Sequence, residues 1–333
     1  MRFGVIIAAM LGLAAATAVS AWVGFGEVFT ALARVGWRGF AVLVAYSTIP
    51  FCLLGGAWFV LVRHESPGRA STFIWARIVR DSAGELLPFS HLGGFVVGAR
   101  AAIERGVSST TAMSTTVVDV TTELIAQLGF IGIGLGLLAM RLGSGSSHEN
   151  LQEAALIGLA LTAAGAIAFI GLQRRGGGFI EALVGRFLPG AAAGANRVVV
   201  AIDELYHRPE RIGLAIALHL TAWIVRAVGV WLALHLAGVE VKLSAVIAVE
   251  SLVGAARSAA FFAPMGIGVQ EASYALLGPL FGVGPEVSLA VSLLKRARDL
   301  AIGAPALLAW QGLEGVRLVK GDLGESGGGA SPI

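Results

Sequence analysis

Seven apolar runs, near residues 3–24, 39–62, 116–140, 152–172, 212–236, 243–263 and 286–312, constrain this chain more than any other feature. A run of about 20 residues wound as a helix matches the roughly 30 Å hydrocarbon thickness of a bilayer. In hydrocarbon each peptide group must be satisfied within its own segment, so helices are expected throughout. Charged residues are only 14% of the chain and mean hydropathy is +0.81. Soluble domains carry about 25% charged residues, so too few remain here to coat a water-facing surface. The expected class is an all-α polytopic membrane protein of about seven transmembrane helices. The first run ends in "AVSA", which resembles a small-residue cleavage site. Its apolar stretch, Phe3 to Phe25, exceeds the roughly 7–15 residues of a signal peptide core, so it reads as an uncleaved span.

Two further apolar stretches, about 73–99 and 264–283, contain proline and glycine and fall short of clean spans. They read as re-entrant or broken helical hairpins, tolerated only where protein or a water-filled cavity surrounds them. The stretch 179–206 mixes charge with apolar residues and reads as an interfacial amphipathic segment. Arginines set the orientation. With the N-terminus inside, Arg63, Arg69, Arg77, Arg80, Arg100 and Arg105 fall on the cytoplasmic side, as do Arg174, Arg175, Arg186, Arg197, Arg208 and Arg211. The opposite side would hold only Arg34, Arg38, Arg141 and Lys242 before the last run. This bias favours a cytoplasmic N-terminus. The net charge of +3 is therefore a topology signal, and no nucleic-acid partner is implied. Residues 1–313 are expected to form one integral membrane domain, and 314–333, ending in "GDLGESGGGASPI", a short flexible tail.

Charges inside apolar runs mark functional candidates, because each costs about 2.5–3.5 kcal/mol on insertion scales. Arg226 lies mid-run, and Glu250 and Arg257 sit two helical turns apart in the next. Lys295 and Asp299, at i,i+4, are expected to pair locally, with Arg296 and Arg298 pointing elsewhere. Set against Glu250, Glu271 and Asp299, the five cations Arg226, Arg257, Lys295, Arg296 and Arg298 leave two without an intramolecular partner. A lipid phosphate, matched bidentately by arginine, is the expected counter-ion. The plainer alternative is snorkelling side chains and structural ion pairs. Pro264 is expected to end a helix, and Gly266 and Gly268 to permit a tight turn. Gln270 and Glu271 would then open a short helix whose N–H groups form an anion site, with Arg257 or Arg296 neutralising Glu271. Otherwise the stretch is an interfacial turn with Glu271 exposed. Pro88, the Gly93–Gly94 pair and Gly106 echo Pro264, Gly268 and Gly282, with eighteen residues from proline to last glycine in each case. Such an echo fits a pseudo-repeat of two opposed hairpins, with Glu85, His91, Arg100, Asp119 and Glu123 as polar residues of the first half.

Common motifs of metal-dependent, nucleotide and redox chemistry are missing: the chain has no HExxH, GxxxxGK[ST] or CxxC. The single cysteine, Cys52, excludes a disulfide framework and a cysteine-based metal site. His219 and His235 have no metal-ligand partner at suitable spacing and are expected to hydrogen-bond a neighbouring helix. Asp119 and Glu123, at i,i+4, share a helix face. No catalytic residue, metal or cofactor is expected.

The segment "PMGIGVQEASYALLGPLFGVGPEVSLAVSLLKRARDLAIGAPALLAWQ" resembles the signature of the lysylphosphatidylglycerol synthase transmembrane-region family. That signature has a P-x-G-x-G-x-x-E segment followed by a serine–leucine–leucine…arginine run and a downstream proline. "ELLPFSHLGGFVVGARAAIERGVSSTTAMSTTVVDVTTELI" is similar to the family's first-half segment, although Gly94 stands where many members carry Glu. The "SLLKRARDL…PALLAWQ" form is shared with members associated with hopanoid biosynthesis. In multidomain relatives this region flips lipid, and a separate cytoplasmic domain performs aminoacyl transfer. The resemblance implies a translocating module in a bacterial inner membrane that does not itself aminoacylate lipid. Arg257, Glu271 and Arg296, then Glu250, Arg226, Arg298 and Gln270, are the candidates for a polar cavity. The implied partners are anionic or polar-headed membrane lipids. Two other readings are a non-transporting scaffold recruiting lipid-biosynthesis enzymes through 173–211, and an intramembrane glycosyl- or lipid-transferase.

Overall fold

The structure is a computed structural model that describes residues 25–62, 69–86, 90–142, 192–260 and 268–326, with isolated positions between 153 and 167. Among the described residues all regular structure is helical. Helix α1 spans Phe25–Tyr46, interrupted where Gly36 takes φ 61°, and α2 follows at Thr48–Val60. Next come α3, Ala70–Leu86, α4, Ser90–Ile103, and α5, Ser109–Leu142. The second half contains α6, Ala192–Tyr206, α7, Pro209–Leu236, and α8, Leu243–Ala259. It closes with α9, Val269–Leu277, a 3-10 turn at Pro279–Phe281, and α10, Pro285–Ser326.

Three stretches are long and apolar enough to cross a bilayer: Leu32–Val60, Ser109–Arg141 and Pro209–Leu236. The run at 3–24 and most of 152–172 lie outside the described residues. Helix α10 continues to Ser326, beyond the expected domain boundary at 313. With 17 residues, α8 is about 25 Å long. The nine residues of α9 reach only about 13 Å, too short to cross.

The first broken stretch is a tight pair of antiparallel helices. A Cβ on Gly94 of α4 would lie 2.6 Å from the Arg80 carbonyl of α3 and 3.1 Å from the Gly84 nitrogen. One turn further on, a Cβ on Gly98 would lie 2.6 Å from Arg80 Cβ. This is small-residue packing of the kind that lets helix backbones approach within a membrane. Gly93, expected at the hairpin turn, instead lies inside α4 beside this contact. Pro88, Pro264 and Gly266 are outside the described residues.

The echo between the halves extends to backbone chemistry. Gly106 has φ 92° and Gly282 φ 84°. In each case the following valine N–H bonds back five residues, Val107 to Ala102 at 3.2 Å and Val283 to Gly278 at 3.0 Å. These are Schellman-type closures, which only glycine enters without strain. Each glycine is three residues before the long helix of its half, which begins at Ser109 in one case and Pro285 in the other.

Polarity is arranged with charge inside and apolar surface outside. Trp37, Met140 and Leu308 are 79%, 81% and 69% exposed, whereas Asp119 and His219 are fully buried. One apolar core joins Trp58, Phe73, Val79 and Leu307 around α3 and α4. Another joins Val230, Val246, Val253 and Tyr274 around α8 and α9.

Gly94→Ala is expected to destabilise the purified protein by about 1–3 kcal/mol, the usual range for overpacking. Gly129→Ala, where an added Cβ meets nothing within 4 Å, serves as the control and should be neutral or slightly stabilising. Thermal unfolding in detergent measures both; equal melting temperatures would contradict the close α3–α4 contact.

Candidate functional site

Helix α3 carries Arg77, Asp81 and Glu85 at successive i,i+4 positions, with Arg80 beside them. A charged face of this kind is stable at membrane depth only if other helices cover and neutralise it. Helices α2, α4 and α10 pack around α3. Arg77 is 1% exposed and Arg80 3%. Both guanidinium groups reach α5. Arg80 bonds Asp119 Oδ2 at 2.5 Å and Glu123 Oε2 at 2.7 Å, while Arg77 bonds Asp119 at 3.2 Å and also donates to Glu123. The other Asp119 oxygen meets Nε2 of His219 from α7 at 3.0 Å. Arg80 also stacks over Phe95, with 4.5 Å to the ring centroid.

The remaining α3 carboxylates reach the second half of the chain. Asp81 accepts from Arg226 of α7 at 3.0 Å. Glu85 accepts at both oxygens from Nη2 of Arg257 on α8, at 2.8 and 2.7 Å. Arg257 also donates to Gln270 Oε1 at 3.2 Å. The Gln270 amide donates in turn to the Ser292 hydroxyl at 2.9 Å, and that hydroxyl donates to Glu271 at 3.3 Å. Arg296 closes the chain with two bonds to Glu271, one of them 3.0 Å long. Arg257, Gln270, Glu271 and Arg296 therefore belong to one continuous hydrogen-bonded path.

A branch gathers around Glu250 of α8, which accepts from the Tyr274 hydroxyl and from Lys295 at 2.7 Å. Lys295 also bonds the Tyr274 oxygen at 2.7 Å. Arg298 stands apart in its polar contacts, bonding the adjacent Asp299 at 2.7 and 3.0 Å. Lys295 and Arg298 line a small recess together with Leu43, Tyr46, Gly229 and Leu294.

With this geometry in view, comparison with protein families is decisive: the lysylphosphatidylglycerol synthase TM region model matches residues 6–306. The chain belongs to that family. Comparison with curated proteins and with solved structures gives no match.

Several expectations about this lysylphosphatidylglycerol synthase TM region need correction. Arg226, Arg257, Lys295, Arg296 and Arg298 each have a carboxylate partner, so no surplus cation calls for a lipid phosphate. The acids that complete the balance are Asp81 and Glu85, contributed by the other half of the chain. Lys295 pairs with Glu250 rather than Asp299: Glu250 of α8 and Tyr274 of α9 both bond its ammonium, and Asp299 accepts from Arg298 instead. The expected anion site at the start of α9 is occupied by the protein itself: Glu271 accepts the Gly268 N–H at 2.8 Å, and Gly268 has φ 84°. Glu271 is 1% exposed, which also removes the exposed-turn alternative. Arg77 and Arg80 are buried partners rather than loop residues that mark a membrane side. Their signal was present in sequence: Arg77, Asp81 and Glu85 repeat at i,i+4 spacing with opposite charges on one helix face, which a loop has no reason to keep.

The Glu85–Arg257 contact joins the two halves, and a double-mutant cycle isolates it. Glu85→Ala and Arg257→Ala should each destabilise the protein, with a coupling energy of about 0.5–3 kcal/mol between them. Equilibrium unfolding of the four variants in detergent measures the term, and additive losses would show that the contact contributes nothing.

Proposed function

We propose that this membrane protein moves a polar-headed or anionic lipid between leaflets through the interface of its two halves. The observation that carries this reading is the partly buried, charge-balanced path from α3 through α8 and α9 to α10, in a bundle with an apolar exterior. Such a path is costly to bury and contributes little to stability compared with an apolar packing of equal volume. Within a bilayer, ionisable groups of this kind mark routes for polar cargo. In transporters, broken helices that meet at the interface of internal repeats line such routes near the membrane midplane. Arg257, Gln270, Glu271 and Arg296 are assigned to the head-group path. The recess lined by Lys295, Arg298, Tyr46 and Leu43 lies next to it.

In this reading no covalent step occurs. Head groups exchange places with ion-pair partners: an arginine released from a carboxylate engages a phosphate or hydroxyl of the cargo, and the vacated carboxylate engages the next cation. Guanidinium suits this exchange because carboxylate and phosphate present similar pairs of oxygens. A bacterial inner membrane with the N-terminus inside fits the arginine bias of the remaining loops. The resemblance to hopanoid-associated members makes a hopanoid with a polar head one candidate cargo.

The test is a reconstitution. Vesicles of phosphatidylethanolamine and phosphatidylglycerol carrying a head-group-labelled lipid should show protein-dependent transfer to the outer leaflet, read by chemical quenching of the label. Arg296→Gln and Arg257→Gln should slow transfer at least about tenfold, a loss of roughly 1.4 kcal/mol or more, with equal protein in the vesicles. Wild-type transfer no faster than in empty vesicles would remove the translocation reading. Loss of partner-enzyme recruitment on altering 173–211, with transfer absent throughout, would favour the scaffold.

A further inference from the structure

Four of the five cations in the last three apolar runs join one helix to another. Arg226 and Arg257 reach α3, Lys295 reaches α8 and Arg296 reaches α9. Arg298 does not: its carboxylate is Asp299, the next residue of the same helix. Nε and Nη2 both donate to Asp299 Oδ1, at 3.0 and 2.7 Å. A guanidinium has donors on all its nitrogens and a carboxylate has two oxygens, so Nη1 and Oδ2 are left over. Among the described residues neither has a hydrogen-bond partner. The pair lies midway along the run 286–312, and its side chains are 21% and 27% exposed, so it is not sealed inside the bundle. An ion pair that fastens no helix to another, yet keeps a spare donor beside a spare acceptor, has no structural task to explain its depth.

The surroundings of Arg298 are otherwise satisfied. It lines the small recess between α1, α7 and α10, with apolar surface from Leu43, Val230, Val291 and Leu294. Lys295, in the same recess, is engaged by Glu250 and by the Tyr274 oxygen. The Ser47 hydroxyl donates to the Leu43 carbonyl at 2.8 Å. Tyr46 donates to the Val225 carbonyl at 3.0 Å. Its ring lies against Gly229, where an added Cβ would come within 3.0 Å of it. Glu85, the other partly exposed carboxylate nearby in the path, has both oxygens bonded by Arg257. What remains open among the described residues is one guanidinium edge and one carboxylate oxygen, side by side and together neutral.

We propose that Arg298 and Asp299 bind a zwitterionic lipid head group, one with a single phosphate and a single ammonium, and so select the cargo by charge. The phosphate accepts from Arg298 and the ammonium donates to Asp299 Oδ2. Both are charge-assisted bonds, and the site stays neutral when filled. A head group with phosphate alone would gain Arg298 but bring its negative charge against Asp299, a repulsion that is poorly screened away from water. A neutral sugar head can bond both residues, but without the second ionic partner the bonds are weaker. That the bound lipid is then moved rests on the translocation reading; that it binds here does not.

Native mass spectrometry of the full chain in detergent tests the site. The probes are phosphatidylethanolamine, phosphatidylglycerol and a neutral sugar-headed lipid, in equal amounts and with matched acyl chains. The wild type should retain phosphatidylethanolamine at least about fivefold over either competitor. Asp299→Asn, which leaves the Arg298 charge uncompensated, should turn the preference toward phosphatidylglycerol, whereas Asp299→Glu should keep it. A merely structural role would lower retention of all three lipids together without moving the ratio. A wild type with no preference, a sugar-headed lipid retained equally well, or a wild-type ratio in Asp299→Asn overturns the proposal. If Asp299→Asn does not accumulate, the double variant Arg298→Gln/Asp299→Asn, which leaves no lone charge, takes its place. There the preference should vanish, and its persistence overturns the proposal. In vesicles, the transfer ratio of the two phospholipids should follow the binding ratio in the wild type and in the variant. Equal transfer of both despite selective binding overturns the role in selection. Transfer absent for every lipid, with the binding ratios as expected, removes the translocation reading and leaves the head-group site standing.

Discussion

Neutralisation of α3 is the constraint on which the rest of the arrangement depends. A short helix with Arg77, Arg80, Asp81 and Glu85 could not remain among lipid-facing helices unless each charge met an opposite one. Its partners come from α5, α7 and α8, so satisfying one helix fixes the relative placement of elements far apart in sequence. Apolar contacts between helices are weakly specific in a membrane, where the lipid tails compete for them. Paired charges are far more selective about their neighbours.

The two halves use the same local chemistry for different ends. Both turn at a left-handed glycine followed by valine, and both then enter a long helix. In the first half, Gly94 lets α4 lie directly on α3. In the second, the short α9 presents Gln270, Glu271 and Tyr274 to its surroundings, and each becomes a junction of the polar path. The family match over residues 6–306 takes in both halves.

Much of this was legible in sequence. Helical class followed from the length of the apolar runs, and the short helices α3, α4 and α9 fall largely within the two stretches that are not clean spans. The grouping of Arg257, Gln270, Glu271 and Arg296 followed from the cost of charge in hydrocarbon. Pairing across the halves did not. Nothing local shows that Glu85 belongs with Arg257, 172 residues away, because such a pairing is decided by tertiary packing. Local spacing was also misleading at Lys295 and Asp299, where an i,i+4 pair gave way to the better enclosed Glu250. Arg77 and Arg80 were read by the rule that arginines mark loops, which takes no account of a buried helix able to supply carboxylates.

The glycine contact between α3 and α4 has a mechanical consequence. With no side chain on Gly94 or Gly98 to hold the helices apart, α4 lies against the Arg80 carbonyl and Arg80 Cβ of α3, so any sliding of one helix on the other meets hard contact at once. Their joint with the second half adds a different material to the apolar contact at Leu307: guanidinium–carboxylate pairs, Asp81 with Arg226 and Glu85 with Arg257. Such pairs tolerate small offsets that a close-packed backbone contact does not, so the two sides of α3 differ in how sharply they fix their neighbours.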